Sequence, residues 1–311
     1  MMKVIFMGTP EFAVPTLEHL NENGYDIKLV VTQPDKPSGR GKKLKKSDVK
    51  IKAEELELEI FQPNKIKFEE NIKKLESCKP DFIVVVAYGQ ILNKEILSIP
   101  KYGCINVHAS LLPKYRGAAP LNWAIINGEK TTGVTTMFMD VGLDTGDMLL
   151  KSKIDIDDNM NVGELHDELK IQGARLLIET LKGIECDEIL REKQDNSLSN
   201  YAPMLDKENT KINWNDTAQN IHNLIRGLSP WPSAYFMHEG NKIKVYKSLY
   251  INEKTEVNPG FILKANNEGI FVTALDGIVI LKEIQMPGKN KMKVSDYLRG
   301  NKFPNKIYLQ Q

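Results

Sequence analysis

The chain has 311 residues, of which 41% are hydrophobic and 27% are charged, and its formal net charge is +1. This length predicts two domains, and no apolar window reaches the length of a signal peptide core or a membrane span. The three cysteines form no CxxC pair, so we expect reduced thiols in a cytoplasmic protein, with neither a disulfide framework nor a zinc site.

The small net charge hides an uneven distribution of charged residues. Residues 34–50 and residues 206–311 each carry a net charge of +5, which leaves −9 on the rest of the chain. Basic charge that is collected in one loop and one terminal third indicates a polyanionic partner rather than a uniformly basic protein.

The first half of the chain alternates between strand and helix patterns. Its opening is a strand, a helix and a second strand, which predicts a Rossmann-like, doubly wound, mostly parallel α/β sheet. Strands are predicted at residues 3–7, 27–32, 60–61, 81–87, 104–107, 133–139 and 148–154, and helices at 10–23, 48–57, 69–75 and 161–182. Residues 88–91 then form either a pocket wall or a plain turn. Only Gly8 stands where a dinucleotide-binding fold would show GxGxxG, so NAD binding lacks its fingerprint.

The segment PDKPSGRGKKLKKSDVK, at residues 34–50, contains prolines and glycines that predict an exposed irregular loop. Its GRGKK sequence is not a phosphate-binding P-loop, because the spacing and the residue after the lysine are wrong. A solvated charged loop and a mobile arm that binds phosphates both fit this composition.

The stretch from Gly103 to Asp147 contains the pattern that most favours an active site. Asn106 and His108 are two apart at the end of a predicted strand, so they share one face. Asp144 follows in a loop between two glycines. We expect this loop and the strand that carries Asn106 and His108 to meet outside the carboxyl ends of the strands. An amide, an imidazole and a carboxylate in one cleft can polarise a carbonyl and move a proton. Taken singly, a histidine in a strand is usually structural, and an aspartate in a glycine-rich loop more often forms an Asx turn than acts in catalysis.

The second half changes its pattern after residue 185. Residues 1–185 form the predicted first domain, and the charged crossing at 186–209 predicts a linker. A helix at 217–228 ends at an SPWP sequence, and short strands follow at 234–237, 242–249, 260–265, 270–274 and 278–284. We therefore expect an OB-like β-barrel at residues 210–311. Basic residues after its last strand fit a solvated surface as well as RNA: Lys289, Lys291, Lys293, Arg299, Lys302 and Lys306.

Over essentially its whole length the chain resembles the methionyl-tRNA formyltransferases. The resemblance rests on FMGTPEFAVP, PDKPSGRGKKL, VVVAYGQIL, INVHASLLPKYRGAAP, MDVGLDTGDML and SPWPSA. INVHASLLP followed by DVGLDTGD is similar to the wider family of 10-formyltetrahydrofolate-dependent transferases and hydrolases. The basic loop and the C-terminal strands narrow the resemblance to the tRNA enzymes.

The resemblance implies formyl transfer from 10-formyltetrahydrofolate to the α-amino group of methionyl initiator tRNA, which gives formylmethionyl-tRNA for translation initiation. Asn106 would donate to the developing oxyanion. His108 would support that oxyanion or shuttle the proton of the amine, and Asp144 would favour the charged imidazole or position a relay water. The resemblance leaves the division of these last roles open.

The resemblance also implies a set of substrate contacts. Folate would lie against Ser110, Leu111, Leu112 and Pro113, and the acceptor arm of tRNA would meet Arg40, Lys42 and Lys43. No metal is implied, and a monomer is expected. The alternative functions are formyl transfer to a small amine, hydrolysis of formyltetrahydrofolate, and RNA binding without catalysis.

Overall fold

The computed structural model describes residues 1–38 and 43–309. The chain divides into two compact units, each made of several segments. The first unit comprises Met1–Gly117, Thr132–Ile154 and His166–Tyr201, and the second comprises Ala118–Thr131, Asp155–Leu165 and Ala202–Gln311. The division expected from the sequence, at residues 185 and 210, differs from this one chiefly by the two short inserted segments.

Strands and helices are numbered here in chain order. The strands are β1 (Lys3–Gly8), β2 (Asp26–Val31), β3 (Lys36–Ser38), β4 (Lys43–Lys45), β5 (Ile60–Phe61), β6 (Phe82–Val86), β7 (Cys104–His108), β8 (Arg116–Gly117), β9 (Thr131–Phe138), β10 (Met148–Asp155), β11 (Tyr201–Ala202), β12 (Ala234–His238), β13 (Asn241–Ile251), β14 (Ile262–Asn266), β15 (Gly269–Thr273), β16 (Ile278–Gln285) and β17 (Met292–Lys293). The helices are α1 (Val14–Glu22), α2 (Asp48–Glu55), α3 (Glu69–Ser77), α4 (Lys94–Leu97), α5 (Pro120–Ile126), α6 (Val162–Glu185), α7 (Ala218–Gly227) and α8 (Val294–Leu298). Within residues 1–38 and 43–309, none of the helices combines the length and hydropathy of a membrane span.

The central sheet of the first unit has the strand order β10-β9-β7-β6-β1-β2-β5. Strands β5, β2, β1, β6 and β7 run parallel, whereas β9 runs antiparallel to β7. The order of connections reverses between β1 and β6, which makes this the switch point of a doubly wound sheet. Strands β6 and β7 are buried along their whole length, which explains their continuous apolar sequences. The predicted mostly parallel α/β sheet is confirmed.

The prediction of an irregular loop at the start of the 34–50 segment is wrong for the described residues 36–38 and 43–45, whereas the helix predicted from residue 48 is present as α2. Strands β3 and β4 form a two-stranded antiparallel ribbon in which Pro37 is the partner of Leu44. Proline is tolerated here because each strand of a two-stranded ribbon has a free edge, where the missing N–H is not needed.

The second unit contains an antiparallel sheet with the order β12-β13-β16-β15-β14, and β17 pairs with β16. Inward-facing residues such as Phe236, Val245 and Leu281 build one core with the apolar stripe of α7, which includes Ile221 and Ile225. The predicted C-terminal domain of antiparallel strands is confirmed.

Buried polar side chains of α7 explain why residues 155–165 belong to the second unit. The His222 Nε2 donates to the Asp158 carbonyl over 3.0 Å, and the Arg226 Nη1 donates to the Asp157 and Met160 carbonyls over 3.0 and 3.1 Å. Burial lowers the pKa of both His222 and Arg226. These hydrogen bonds satisfy groups that would be costly to bury alone.

Candidate active site

Strand β7 carries the first two candidate catalytic side chains. Asn106 and His108 are 9% and 6% exposed, and alternation along the strand directs both to the same face. The backbone of β7 is held on both sides, by β6 and by β9. The spacing of the two side chains is therefore fixed by the sheet.

Asp144 lies in the loop that joins β9 to β10. Because β9 runs antiparallel to β7, this loop begins beside the amino end of β7, where Met139 N donates to Cys104 O over 2.9 Å. The loop therefore begins at the opposite edge of the sheet from His108, which is the last residue of β7. The chain turns back toward His108, with Asp144 in the left-handed region at φ 53°.

Side-chain and steric contacts shape the first part of the loop. The Asp140 Oδ1 accepts hydrogen bonds from Gly142 N over 3.0 Å and from Thr145 Oγ1 over 2.7 Å. A Cβ on Gly142 would lie 2.0 Å from Thr145 Oγ1, and one on Gly146 would lie 1.9 Å from the Phe138 carbonyl oxygen. The two glycines that flank Asp144 are thus required by close packing.

Gln194 fixes the backbone of the loop at Asp144. Its Nε2 donates to Asp144 O and to Gly146 O, each over 2.8 Å. Arg116 orients the amide by donating through Nε and Nη2 to Gln194 Oε1 over 3.0 and 2.8 Å. Gln194 lies in the segment predicted to be a linker, and nothing in the pattern of that segment distinguishes it.

The three candidate catalytic side chains meet at the Asp144 carboxylate. The Asn106 Nδ2 lies 3.5 Å from Oδ1, the His108 Nδ1 lies 3.6 Å from Oδ2, and Gly117 N donates to Oδ2 over 2.9 Å. The His108 Nε2 lies 2.9 Å from Tyr115 O. Since a carbonyl oxygen can only accept, Nε2 carries a proton. Both ring nitrogens thus face acceptor oxygens.

The predicted folate segment is folded partly on itself. The Ser110 hydroxyl donates to the Lys114 carbonyl over 2.6 Å, and Leu112 is 2% exposed in the core. Leu111 and Pro113 are half-buried, so they are the members of the segment that a ligand could contact through the side chain.

Three exposed apolar side chains lie in the loops that follow β6 and β9. Val141 and Leu143 precede Asp144 in its loop and are 74% and 55% exposed. Ile91 follows β6, the neighbour of β7, and is 85% exposed. Large exposed apolar groups often mark a ligand surface. The sequence singled out Ile91 as part of a possible pocket wall, but it gave no signal for the other two.

Of the predicted tRNA contacts, Arg40 and Lys42 lie outside the described residues. Lys43 is the first residue of β4, and its backbone pairs with that of Ser38.

Known proteins place the whole chain in one family. The family model for formyl transferases matches residues 2–181, and the model for the formyl transferase C-terminal domain matches residues 204–302. A methionyl-tRNA formyltransferase of Clostridium tetani (strain Massachusetts / E88) is 56% identical over 311 residues, which is 100% of both chains. The chain belongs to the methionyl-tRNA formyltransferase family. Another member, from Clostridium acetobutylicum, is 53% identical and also covers 100% of both chains. The family resemblance identified from the sequence is confirmed.

Solved structures share the fold of this family. WlaRD, a sugar 3N-formyl transferase crystallised in the presence of dTDP and 5-N-formyl-THF, has a TM-score of 0.69 at 24% identity, over 93% of this chain and 99% of that chain. HypX from Aquifex aeolicus in complex with tetrahydrofolic acid has a TM-score of 0.62 at 17% identity, over 99% of this chain and 51% of that chain. At these identities the likeness extends to the fold alone.

Proposed function

We propose that the protein transfers the formyl group of 10-formyltetrahydrofolate to the α-amino group of methionyl initiator tRNA. Membership of the methionyl-tRNA formyltransferase family supports the reaction and both substrates. We assign the site from one observation: the side chains of Asn106 and His108 both face the Asp144 carboxylate. We also propose that the enzyme acts in the cytoplasm, where a product used in translation initiation is needed, and that it acts as a monomer.

The reaction needs a donor for the oxygen of the formyl group. The amine nitrogen bonds to the formyl carbon, and the bond from that carbon to the folate nitrogen breaks. The amine loses a proton, and the folate nitrogen gains one. Negative charge develops on the formyl oxygen between these events. Asn106 has a second amide hydrogen besides the one directed at Asp144, and we assign it to this oxygen, a contact worth about 3 kcal/mol when well aimed.

His108 and Asp144 suit the handling of the proton. The Asp144 carboxylate is oriented by Gly117 N and faces the His108 Nδ1, so it can hold the imidazole in one orientation. The His108 Nε2 lies 2.9 Å from Tyr115 O, so the substrate must displace that carbonyl before Nε2 can exchange a proton with it. With that displacement, we assign Asp144 as the orienting group and His108 as the group that exchanges protons with the substrate.

Apolar side chains beside the site suit the extended aromatic donor. Val141, Leu143 and Ile91 offer exposed apolar surface, and Leu111 and Pro113 are half-buried. Covering such groups with the flat rings of a folate removes apolar area from water. The donor supplies an already activated formyl group, and these side chains would position it.

The basic segment at residues 34–50 and the second unit suit a tRNA substrate. We propose that Arg40, Lys42 and Lys43 contact the acceptor arm and that the second unit contacts other parts of the tRNA. Contacts with phosphates release counterions, so the affinity for tRNA should fall steeply with salt concentration.

The deciding experiment offers initiator and elongator methionyl-tRNA in parallel with 10-formyltetrahydrofolate. Selective formylation of the initiator is expected. Release of formate without tRNA would instead support the hydrolase, and formylation of a small amine alone would support the small-amine transferase. Binding of tRNA without turnover, in both the wild type and His108→Ala, would support a non-catalytic RNA-binding protein.

A further inference from the structure

The base of the ribbon formed by β3 and β4, which we call the basic hairpin, is held by three side chains that have no part in the proposed chemistry. These side chains, Asp35, Lys50 and Gln62, are called the hairpin anchor. The Asp35 Oδ2 accepts from Lys50 Nζ over 2.7 Å, and its Oδ1 accepts from Gln62 Nε2 over 2.8 Å. The Gln62 Nε2 also donates to Gln33 O over 2.9 Å. Each oxygen of one carboxylate is thus bound to a different segment.

The anchor joins three parts of the chain. Asp35 immediately precedes β3, Lys50 lies in α2 after β4, and Gln62 follows β5 at the edge of the central sheet. The pair of Asp35 and Lys50 therefore connects the chain that enters the hairpin to the chain that leaves it. The side chains of this pair are only 21% and 16% exposed. Hydrogen bonds from Lys50 and Gln62 hold the pKa of Asp35 below its usual range, which favours the ionised carboxylate in the hairpin anchor.

The anchored base is also tied to the region of the candidate active site. The Gln33 Nε2 donates to Tyr88 O over 3.2 Å, and Thr9 Oγ1 donates to the same carbonyl over 2.9 Å. Tyr88 follows β6, which is hydrogen-bonded to the strand that carries Asn106 and His108. Gln33 therefore joins the hairpin base to the segment that follows β6, through its backbone carbonyl on one side and its side-chain amide on the other.

A nearby ion pair lacks these connections. Lys46 Nζ lies 2.7 Å from Glu54 Oε2 and links the end of β4 to α2, with side chains that are 48% and 40% exposed. Exposed pairs of this kind contribute little to stability. Glu54 therefore provides a matched control for the removal of one carboxylate beside the hairpin.

We propose that the hairpin anchor positions the basic hairpin for tRNA, so that Asp35 and Gln62 are positioning residues for the tRNA substrate and not for folate. This inference rests on the proposed function. A base that is fixed before binding reduces the conformational entropy that is lost when tRNA binds. Loss of the anchor should therefore weaken productive tRNA binding while the chemistry at bound substrates continues.

The test is a double-mutant cycle with Asp35→Asn, Lys50→Gln and the double variant. Each single change should raise the KM for initiator methionyl-tRNA about tenfold, and the double variant should rise no further, because residues in direct contact act as one unit. The kcat and the KM for 10-formyltetrahydrofolate should stay at the wild-type values. Gln62→Ala should also raise the KM for tRNA and leave the KM for 10-formyltetrahydrofolate unchanged. Glu54→Gln should change neither KM.

A readout without substrates is the rate of tryptic cleavage between residues 36 and 46. Asp35→Asn should be cleaved faster there than the wild type and Glu54→Gln, and equal rates would overturn the inference. The inference would also be overturned if the KM for tRNA were unchanged in Asp35→Asn, or if the KM values for tRNA and folate rose equally. Additive effects of Asp35→Asn and Lys50→Gln on the KM for tRNA would overturn it as well. If the wild type formylates no tRNA, the proposed function fails and the role of the anchor toward tRNA fails with it. Intact formylation with an unchanged KM removes the anchor's role alone.

Discussion

Asp144→Asn tests the proposed role of the carboxylate with the smallest change of shape. The asparagine oxygen can still accept from Gly117 N, which now lies 2.9 Å from Oδ2, so the loop should keep its position. The same oxygen then also faces the His108 Nδ1, because Gly117 N and His108 Nδ1 both approach Oδ2, and the new amide nitrogen takes the place of Oδ1 opposite the Asn106 Nδ2. The substitution therefore removes the negative charge beside the His108 ring and leaves a neutral acceptor in its place.

The magnitude follows from the separation of the charges. The His108 Nδ1 lies 3.6 Å from the Asp144 Oδ2, and the two side chains are only 7% and 14% exposed. At an effective dielectric constant of about 20, unit charges at this distance attract by about 4–5 kcal/mol. The amide dipole replaces part of that attraction. If the ring is charged in the transition state, kcat should therefore fall by about 100- to 1000-fold.

The assay is formylation of initiator methionyl-tRNA, with kcat and both KM values measured and with thermal unfolding followed in parallel. Asp147→Asn is the control, since it removes the same charge from the same loop. The reasoning is refuted if Asp144→Asn keeps more than about a third of the wild-type kcat, a loss well under 1 kcal/mol. An equal loss in Asp147→Asn would also refute it, because the effect would then belong to the loop's net charge.

Three further changes test other parts of the structure. Gln194→Ala removes the hydrogen bonds to the Asp144 and Gly146 carbonyls that hold the loop, so kcat should fall about tenfold while the unfolding midpoint moves by only a few degrees. Gly133→Ala places a Cβ 2.0 Å from the Ser152 carbonyl oxygen, which should lower the free energy of unfolding in urea by about 2 kcal/mol or more. Burial lowers the pKa of His222, so below about pH 6.5 the unfolded chain binds a proton that the folded chain does not. Stability should therefore fall on acidification, and His222→Gln should flatten that fall in urea titrations between about pH 7.5 and 5.5.

The sequence predicts those parts of the fold that local pattern determines. Strands β6 and β7 are continuous apolar runs because both faces are covered, and the two-residue period alone places Asn106 and His108 on one face. Helices α4 and α5 escaped prediction, because 4 and 7 residues are too few to show a helical period.

Long-range features could not be predicted from the same patterns. The sequence pattern of β9 is compatible with either strand direction, so it does not predict the antiparallel pairing with β7. For the same reason it does not predict the path by which the Asp144 loop returns to His108. Gln194 acts through contacts with residues 48 and 50 positions earlier, in a segment whose local composition is that of a linker. The sequence therefore predicts the candidate catalytic side chains but not the contacts that hold them in place.

The interleaving of the two units bears on how the protein is made and dissected. Residues 118–131 and 155–165 are synthesised well before residues 202–311, with which they form the second unit. Their hydrogen-bond partners arrive late: Asn122 Nδ2 donates to Gly227 O over 2.8 Å, and Arg226 donates to the Asp157 and Met160 carbonyls. During synthesis, these segments can complete the second unit only after residues 202–311 have been made. A chain truncated at the predicted linker would keep them without their partners, so its activity would measure damage to the remaining fold as well as the loss of the C-terminal strands.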